Sequence, residues 1–547
     1  MQSPLKRSFA AEELRKRQQR KKPWLWMAAG AMLVALVIGG YALYTRFGVQ
    51  EKSVPSIAVL PFINMSTDPD QVPFCDGMSE EIINALTNVG GLRVIARTSA
   101  FFFKGKDYKI QDVGKELNVE TVLEGSVRKA DNQLRITAQL INVADESHLW
   151  SDTYNRELED VFAIQEEISL AIVEALKVKL LDKEKAAIEK RYTEDTDAYQ
   201  LYLLGRHYWN LRSGPQKEEM LRKGLDYFQQ AIKKDPDYAL AYTGIADSYH
   251  QLGFFGYMPS EEAYRKGKEA VEKALELDDT LSEVHVTLGW IGEFKDMDFP
   301  AAGREYKLAV ELNPNSVNAH YYYGGYLQNM GRYNESLDEA KRARMLDPLD
   351  PRNYRDIADN YWHMGRYDEA IKECYKGIEI FPEYGWLYNN LILILCEQGK
   401  YNEALKAVQL ARVNLGNSTR GERLLGSIYA LSGERAKAEQ IIAKLQIEGD
   451  LVSIAYIYID LSEKEKAEGI LQELIEQSKK GIITPRTIAR IYTYWGEFDK
   501  AVDWMEKAYE EQPHETYHGL RFIILNNIDI LSHPRYKALL KKMGLPE

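Results

Sequence analysis

The sequence predicts a mainly α chain in three parts: a single transmembrane helix, a small α/β domain, and a superhelical solenoid of stacked helix pairs. Three observations carry that reading. Residues 24–44 run without a charge. Residues 55–190 alternate between strand-like and helix-like periods. From there to Pro513 the text repeats, with Pro314, Pro348, Pro382, Gly416 and Asp450 falling 34 residues apart four times running. A period of 20–50 residues is the mark of a repeat architecture.

At 547 residues the chain is too long for one core, and 28% charged with 45% hydrophobic residues is an ordinary globular balance. That excludes a disordered chain and a many-span membrane protein. The net charge is −12; residues 1–23 hold eight Lys/Arg against Glu12 and Glu13, or +6, so the remainder carries −12 − 6 = −18. An acidic body argues against nucleic acid as a partner. Cys75, Cys374 and Cys396 are too few for a disulfide framework in a chain of this size.

Residues 24–44, WLWMAAGAMLVALVIGGYALY, are long enough at 1.5 Å per residue to cross a lipid bilayer's hydrocarbon core of about 30 Å. The basic block lies before them, and only Arg46 and Lys52 follow closely, so the positive-inside rule keeps the N-terminus in the cytoplasm. Trp24, Trp26, Tyr41 and Tyr44 stand where rings favour the headgroup zone. The run exceeds a signal-peptide core and no A-x-A site follows it, which favours an uncleaved anchor. Ala31, Ala35 and Gly39 make a small-residue face that would serve a homodimer. The expected order is a basic cytoplasmic tail (1–23), the membrane helix (24–44), a linker (45–54), an α/β domain (55–190), a repeat array (195–513) and a capping segment (514–547). The expected place is a bacterial inner membrane, with the bulk of the chain periplasmic.

In the α/β part, Ser56–Phe62 reads as a strand, Ser79–Val89 as a helix and Leu92–Ala96 as a second strand, an order that favours a parallel pair. Thr121–Lys129 and Leu134–Val143 alternate about the turn 130–133 and read as a hairpin; His148–Tyr154 adds a strand, and 158–188 reads as one long helix.

The stretches SIAVLPFINMSTDPDQVPFCDGMSEEIINALTNVGGLRVIARTSAFFFKGK, VETVLEGSVRK, LRITAQLINV and HLWSDTYNRELEDVFAIQEEIS resemble the TolB amino-terminal-like domain of bacterial signalling proteins, over about 125 residues. The resemblance implies a domain that precedes tetratricopeptide repeats and often follows a cytoplasmic winged-helix, kinase or cyclase module. The 23 residues here before the membrane segment are too few for any of those folds.

Thirty-four residues is the tetratricopeptide period. Small or aromatic residues recur at helix crossings, as at Gly324, Ser336, Ala340 and Ala343, then Ala358, Tyr361, Ala370, Cys374 and Gly377. NMGRYNES, HMGRYDEA, EQGKYNEA and LSGERAKA mark turns inside four successive pairs, Gly ending one helix and polar residues opening the next. Turns near 210 and 255 are stretched and Leu451–Gln477 is shortened, for about nine pairs in all. The last segment should cap the open end.

His514-Glu515-Thr516-Tyr517-His518 reads H-E-x-x-H, the spacing of a zinc peptidase, but it follows Pro513 at a helix start with no third ligand in view; it reads better as capping segment. No phosphate loop, nucleophile elbow or C-x-x-C pair occurs. No catalytic residue, cofactor or metal is therefore expected. Asp68, Asp70 and Asp76 read as solvated loop acids, and Cys374 and Cys396 as free packing thiols.

Repeat register places Tyr321, Asn329, Arg352, Arg355, Asp359, Trp362, His363, Trp386, Asn389, Glu397, Arg420 and Arg423 on the concave face. Rings, amides and guanidinium groups suit an extended peptide. Three functions are weighed: a membrane-anchored, non-enzymatic scaffold or receptor for a protein partner; the sensory part of a signalling system acting with a separate cytoplasmic cyclase or kinase; and a zinc peptidase.

Overall fold

The computed structural model describes residues 54–130, 132–213, 216–416, 419–511 and 528–546. The expected membrane segment 24–44, the tail before it and the H-E-x-x-H pentad lie outside them. Among the described residues no helix is long and apolar enough to cross a membrane. Pro55–Glu547 forms one compact unit.

Its front is a six-stranded sheet built from β1 (Ser56–Val59), β2 (Ile63–Asn64), β3 (Arg93–Val94), β4 (Thr121–Ala130), β5 (Gln133–Asn142) and β6 (His148–Glu157). The order is β3-β1-β4-β5-β6, with β2 beside β4. Both neighbours of β1 run parallel to it, as the strand–helix–strand order requires, while β4, β5 and β6 are antiparallel. Helices α1 (Val72–Thr87) and α4 (Val161–Ala175) bury Met78, Ile82, Ile164 and Ile168 on one face. On the other, α2 (Arg97–Phe101) and α3 (Ile110–Leu117) bury Ala100, Val113 and Leu117 over Ala58 and Val122.

Two local expectations are corrected. The long helix over 158–188 is broken: α4 ends at Ala175, Lys177 takes a left-handed φ of 52°, and α5 (Asp182–Glu189) starts afresh. The apolar stripe continued in the sequence, but the chain turns so that Val178 packs on the sheet's core. Asp76 is not a loop acid; it is buried in α1, where Lys104 Nζ donates to both its oxygens at 2.6 Å.

Behind the sheet, helices run in pairs: α6 (Thr196–Asn210) with α7 (Lys217–Lys234), α8 (Ala239–Phe254) with α9 (Ser260–Leu277), α10 (Ser282–Ile291) with α11 (Phe299–Leu312), and α12 (Val317–Asn329) with α13 (Tyr333–Leu346). Then follow α14 (Pro351–His363) with α15 (Tyr367–Ile380), α16 (Gly385–Glu397) with α17 (Tyr401–Leu415), and α18 (Thr419–Leu431) with α19 (Arg435–Glu448). The series ends with α20 (Leu451–Asp460) and α21 (Lys464–Lys479), then α22 (Pro485–Trp495) and α23 (Phe498–Glu511). The turns read from NMGRYNES, HMGRYDEA, EQGKYNEA and LSGERAKA place Gly331, Gly365, Gly399 and Gly433 at φ of 71°, 70°, 67° and 81°, the left-handed region that an L side chain enters at a cost. Helices cross closely at Gly205 and Gly244, where an added Cβ would lie 2.5 and 2.7 Å from the ring of Phe228 between them.

The sheet domain docks on the turns that join one pair to the next. Asn315 Nδ2 donates to the carbonyls of Thr87, Val89 and Leu92 at 3.0–3.3 Å, and Asn313 Nδ2 to Thr87 Oγ1 at 3.0 Å. Ser99 donates to Asp347 and accepts from the Leu349 amide, while the Ala96 amide bonds the Leu346 carbonyl. Buried Glu80 of α1 accepts from Arg206 and Asn210 of α6 and pairs with Arg97. At the far end, helix α24 (Pro534–Lys542) lays Tyr536, Leu539 and Met543 in the same apolar cluster as Phe299, Tyr306 and Tyr326 of the third and fourth pairs.

Candidate peptide-binding cleft

The first helices of successive pairs share a register. Equivalent histidines show the shared register: His285 bonds Glu305 and the Asp279 carbonyl, and His320, 35 residues on, bonds Glu339 and the Pro314 carbonyl. Between α8, α10, α12, α13 and α14 lies a cavity of about 280 Å³. Four of the twelve expected groove residues, Tyr321, Asn329, Arg352 and Arg355, line it.

Their charges are already engaged. Arg352 is held by the Asp350 carboxylate, at 2.9 Å from Nε and 2.5 Å from Nη2, and lies over the Tyr321 ring at 4.7 Å. Arg355 donates to Asp356 and, at 3.4 Å, to the hydroxyls of Tyr321 and Tyr384. Burial works against its charge, but Asp356, the two tyrosines and Asp359 hold its pKa well above the usual range. Asn329 Nδ2 donates to Glu293 at 2.8 Å. Nearby, burial pushes the Asp247 carboxyl up to about 6, against the pull of Arg206 and Arg212.

The other expected residues lie farther along. Asp359 is buried and accepts from Asn390 at 2.5 Å; Trp362, also buried, donates from Nε1 to Glu397 at 2.7 Å, and Glu397 also accepts from Tyr367. Both are therefore engaged inside the array. His363 stacks on Tyr333 with centroids 4.9 Å apart. Trp386 is exposed, Asn389 is half-buried beside it in sequence, and Arg423 lies 4.9 Å over the Tyr456 ring. The Arg420 side chain lies outside the described residues.

Sequence reasoning missed His250, Phe254, Trp290 and Phe294 of the cavity wall. His250 and Phe254 precede the stretched turn near 255, where the 34-residue register slips, and Trp290 and Phe294 lie at and just past the end of α10, where the chain takes a wider π-helical turn over Gly292–Asp296. Cys75 and Cys374 are buried free thiols and Cys396 is half-buried; burial raises all three, Cys75 and Cys396 to about 12, which leaves them unreactive. Among the described residues no group of three or more His, Cys, Asp or Glu is placed to hold a metal ion.

Residues 352–384 and 487–515 match the family model of the tetratricopeptide repeat. The array therefore contains tetratricopeptide repeats. A Rhizobium meliloti protein named "Putative adenylate cyclase 3" is 45% identical over 195 residues, 35% of this chain and 32% of that protein. The transcriptional regulator HilA of Salmonella typhimurium is 28% identical over 152 residues, 28% of this chain and 27% of its own length. The chain thus spans a third or less of the curated relatives it matches. Among solved structures, the Pseudomonas aeruginosa pilF protein is 21% identical over 40% of this chain and 96% of its own, with a TM-score of 0.32. A thermophilic tetratricopeptide protein of Thermus thermophilus is 19% identical over 36% of this chain and 99% of its own, with a TM-score of 0.30.

Proposed function

We propose that the chain is a non-enzymatic interaction protein that holds a protein or peptide partner on the inner face of its repeat array. The observation that carries this is the cleft between α8 and α14, where rings and amides line a space that this chain's own described residues leave open. In this reading residues 24–44 anchor the chain in a bacterial inner membrane, the array faces the periplasm, and the front domain is TolB amino-terminal-like. Its support is the basic block before an uncharged apolar run and the sequence resemblance. Trp386→Ala combined with Asn389→Ala should keep the helical circular dichroism signal and melting temperature yet lower partner recovery from crosslinked membranes about tenfold or more. Unchanged recovery would remove the groove from consideration. Protease added to spheroplasts should cut the C-terminal portion; protection there with cutting in lysates would overturn the orientation.

A second reading is favoured by the 45% identity to the Rhizobium protein. Here the chain is the sensory part of a signalling system that acts with a separate cytoplasmic cyclase or kinase. Such an enzyme among the crosslinked partners supports it, and envelope proteins alone favour the first reading.

A further inference from the structure

Gly325 stands in the middle of α12 and lines the cleft. Its register partners in the neighbouring inner helices are Trp290 (325 − 290 = 35) and Asp359 (359 − 325 = 34), both large. A Cβ built on Gly325 meets no heavy atom of the described residues within 4 Å, unlike Gly289 and Gly324, whose Cβ atoms would press on Tyr306 and Glu339. Glycine inside a helix costs stability against alanine, and no close approach requires it here. The missing side chain opens the cavity. Two polar atoms in its wall also lack hydrogen-bond partners among the described residues: Gln328 Nε2, on a side chain 5% exposed, and Asn360 Oδ1, 1% exposed. One is a donor and the other an acceptor, the complement of a single amide unit. Buried polar groups of this kind are expensive to leave unpaired.

The lining carries two cations, Arg352 and Arg355, and two anions, Glu293 and Asp356, and both arginines are bonded to aspartates. Among the described residues of the wall, no free guanidinium is left to select a carboxylate. The rings of Phe254, Trp290, Phe294, Tyr321 and Tyr322 instead offer edges and faces to another ring. A volume of about 280 Å³ is below the 300–1,000 Å³ of sites for drug-sized ligands and suits one anchor side chain with its peptide unit.

We propose that this cavity receives one aromatic side chain from an internal, uncharged stretch of an extended polypeptide. The adjoining peptide carbonyl accepts from Gln328 and its N–H donates to Asn360. This rests on the reading of the inner face as a protein-binding surface and names the chemistry it selects.

The test uses the full-length protein and two probes, N-acetyl-phenylalanine amide and N-acetyl-phenylalanine as its carboxylate, titrated by calorimetry and ligand-observed NMR. The amide should bind with a Kd of about millimolar, as its size allows, and the carboxylate at least about fivefold more weakly. Gly325→Leu should fill the space and abolish binding with an unchanged or higher melting temperature, and Gly325→Ala should weaken it in part. Gln328→Leu and Asn360→Leu should each weaken the amide about fivefold or more. Three results overturn the proposal: no saturable amide binding by wild type, a carboxylate that binds as well as the amide, or Gly325→Ala and Gly325→Leu that bind like wild type. Amide binding that fails while the Trp386/Asn389 double variant loses its partner sinks the cavity alone. Amide binding that succeeds while partner recovery survives both the double variant and Gly325→Leu sinks the inner face as the partner's seat and leaves the cavity standing as an amide site.

Discussion

The front and rear of the array join their pairs in different ways. From α7 to α16 the joining turns carry Asp235-Pro236, Asp278-Asp279, Asn313-Pro314, Asp347-Pro348 and Phe381-Pro382, and several of these bond or pack against the sheet domain. From α17 onward the turns use Gly416, Gly449 and Gly481 at φ of 78°, 74° and 72°. Apolar residues near the turns follow the same division: Leu346 and Leu349 are 3% and 8% exposed, whereas Val413 and Ile447 are 81% and 89% exposed. The same repeat thus becomes a docking edge where polar turn side chains find partners, and a plain connector where they do not. A helix pair buries its apolar face only on its neighbours, so the covered pairs should be the stable ones.

The largest test of that contrast is Asn315→Ala. It removes the side-chain donor shared by the carbonyls of Thr87, Val89 and Leu92 inside the interface, Val89 keeping only the Leu92 amide, and should cost about 3 kcal/mol in chemical denaturation. A loss below about 1 kcal/mol would mean the edge contributes little. Hydrogen exchange sharpens the comparison: α10 to α15 should be protected longer than α18 to α21, and equal protection would erase the division.

Next comes pH. Burial, with Asp350 beside it, pushes the Asp347 carboxyl up to about 7. Because its folded pKa is raised above the unfolded value of about 3.9, the docked state binds the extra proton. The stabilisation is full below pH 4 and is lost as pH rises through 7. Thermal melts should show the front losing stability over that range, and Asp347→Asn should flatten the dependence.

The smallest effect belongs to the rear surface. Arg435 bridges exposed Glu439 and the Glu463 of the next pair, and Arg435→Ala should leave the melting temperature almost unchanged, because water and salt screen such a pair. A larger loss would show that the rear depends on its surface ion pairs after all.

Much of the array was legible because period, turn glycines and small crossing residues all report the same local geometry. The hairpin of β4 and β5 was legible for the same reason, its alternation being local. The short helices α2 and α3 were not, since five and eight residues are too few for a period to show. Asn313 and Asn315 look like ordinary turn residues; only the distant strand and helix ends they meet give them their role. In the cleft, Tyr321, Asn329, Arg352 and Arg355 could be counted by register. Gly325 could not, because its effect lies in what it omits, and Gln328 matters through a bond it does not make among the described residues.

One contact changes how the whole array should come apart. Gly544, just past α24, would bring a Cβ to within 3.5 Å of the Phe299 ring, far back in the third pair. A linear stack can fray from its open end one unit at a time. Here the tail is stapled to the middle, so trimming the last fifteen residues should loosen helices more than two hundred positions upstream and turn one sharp melt into two.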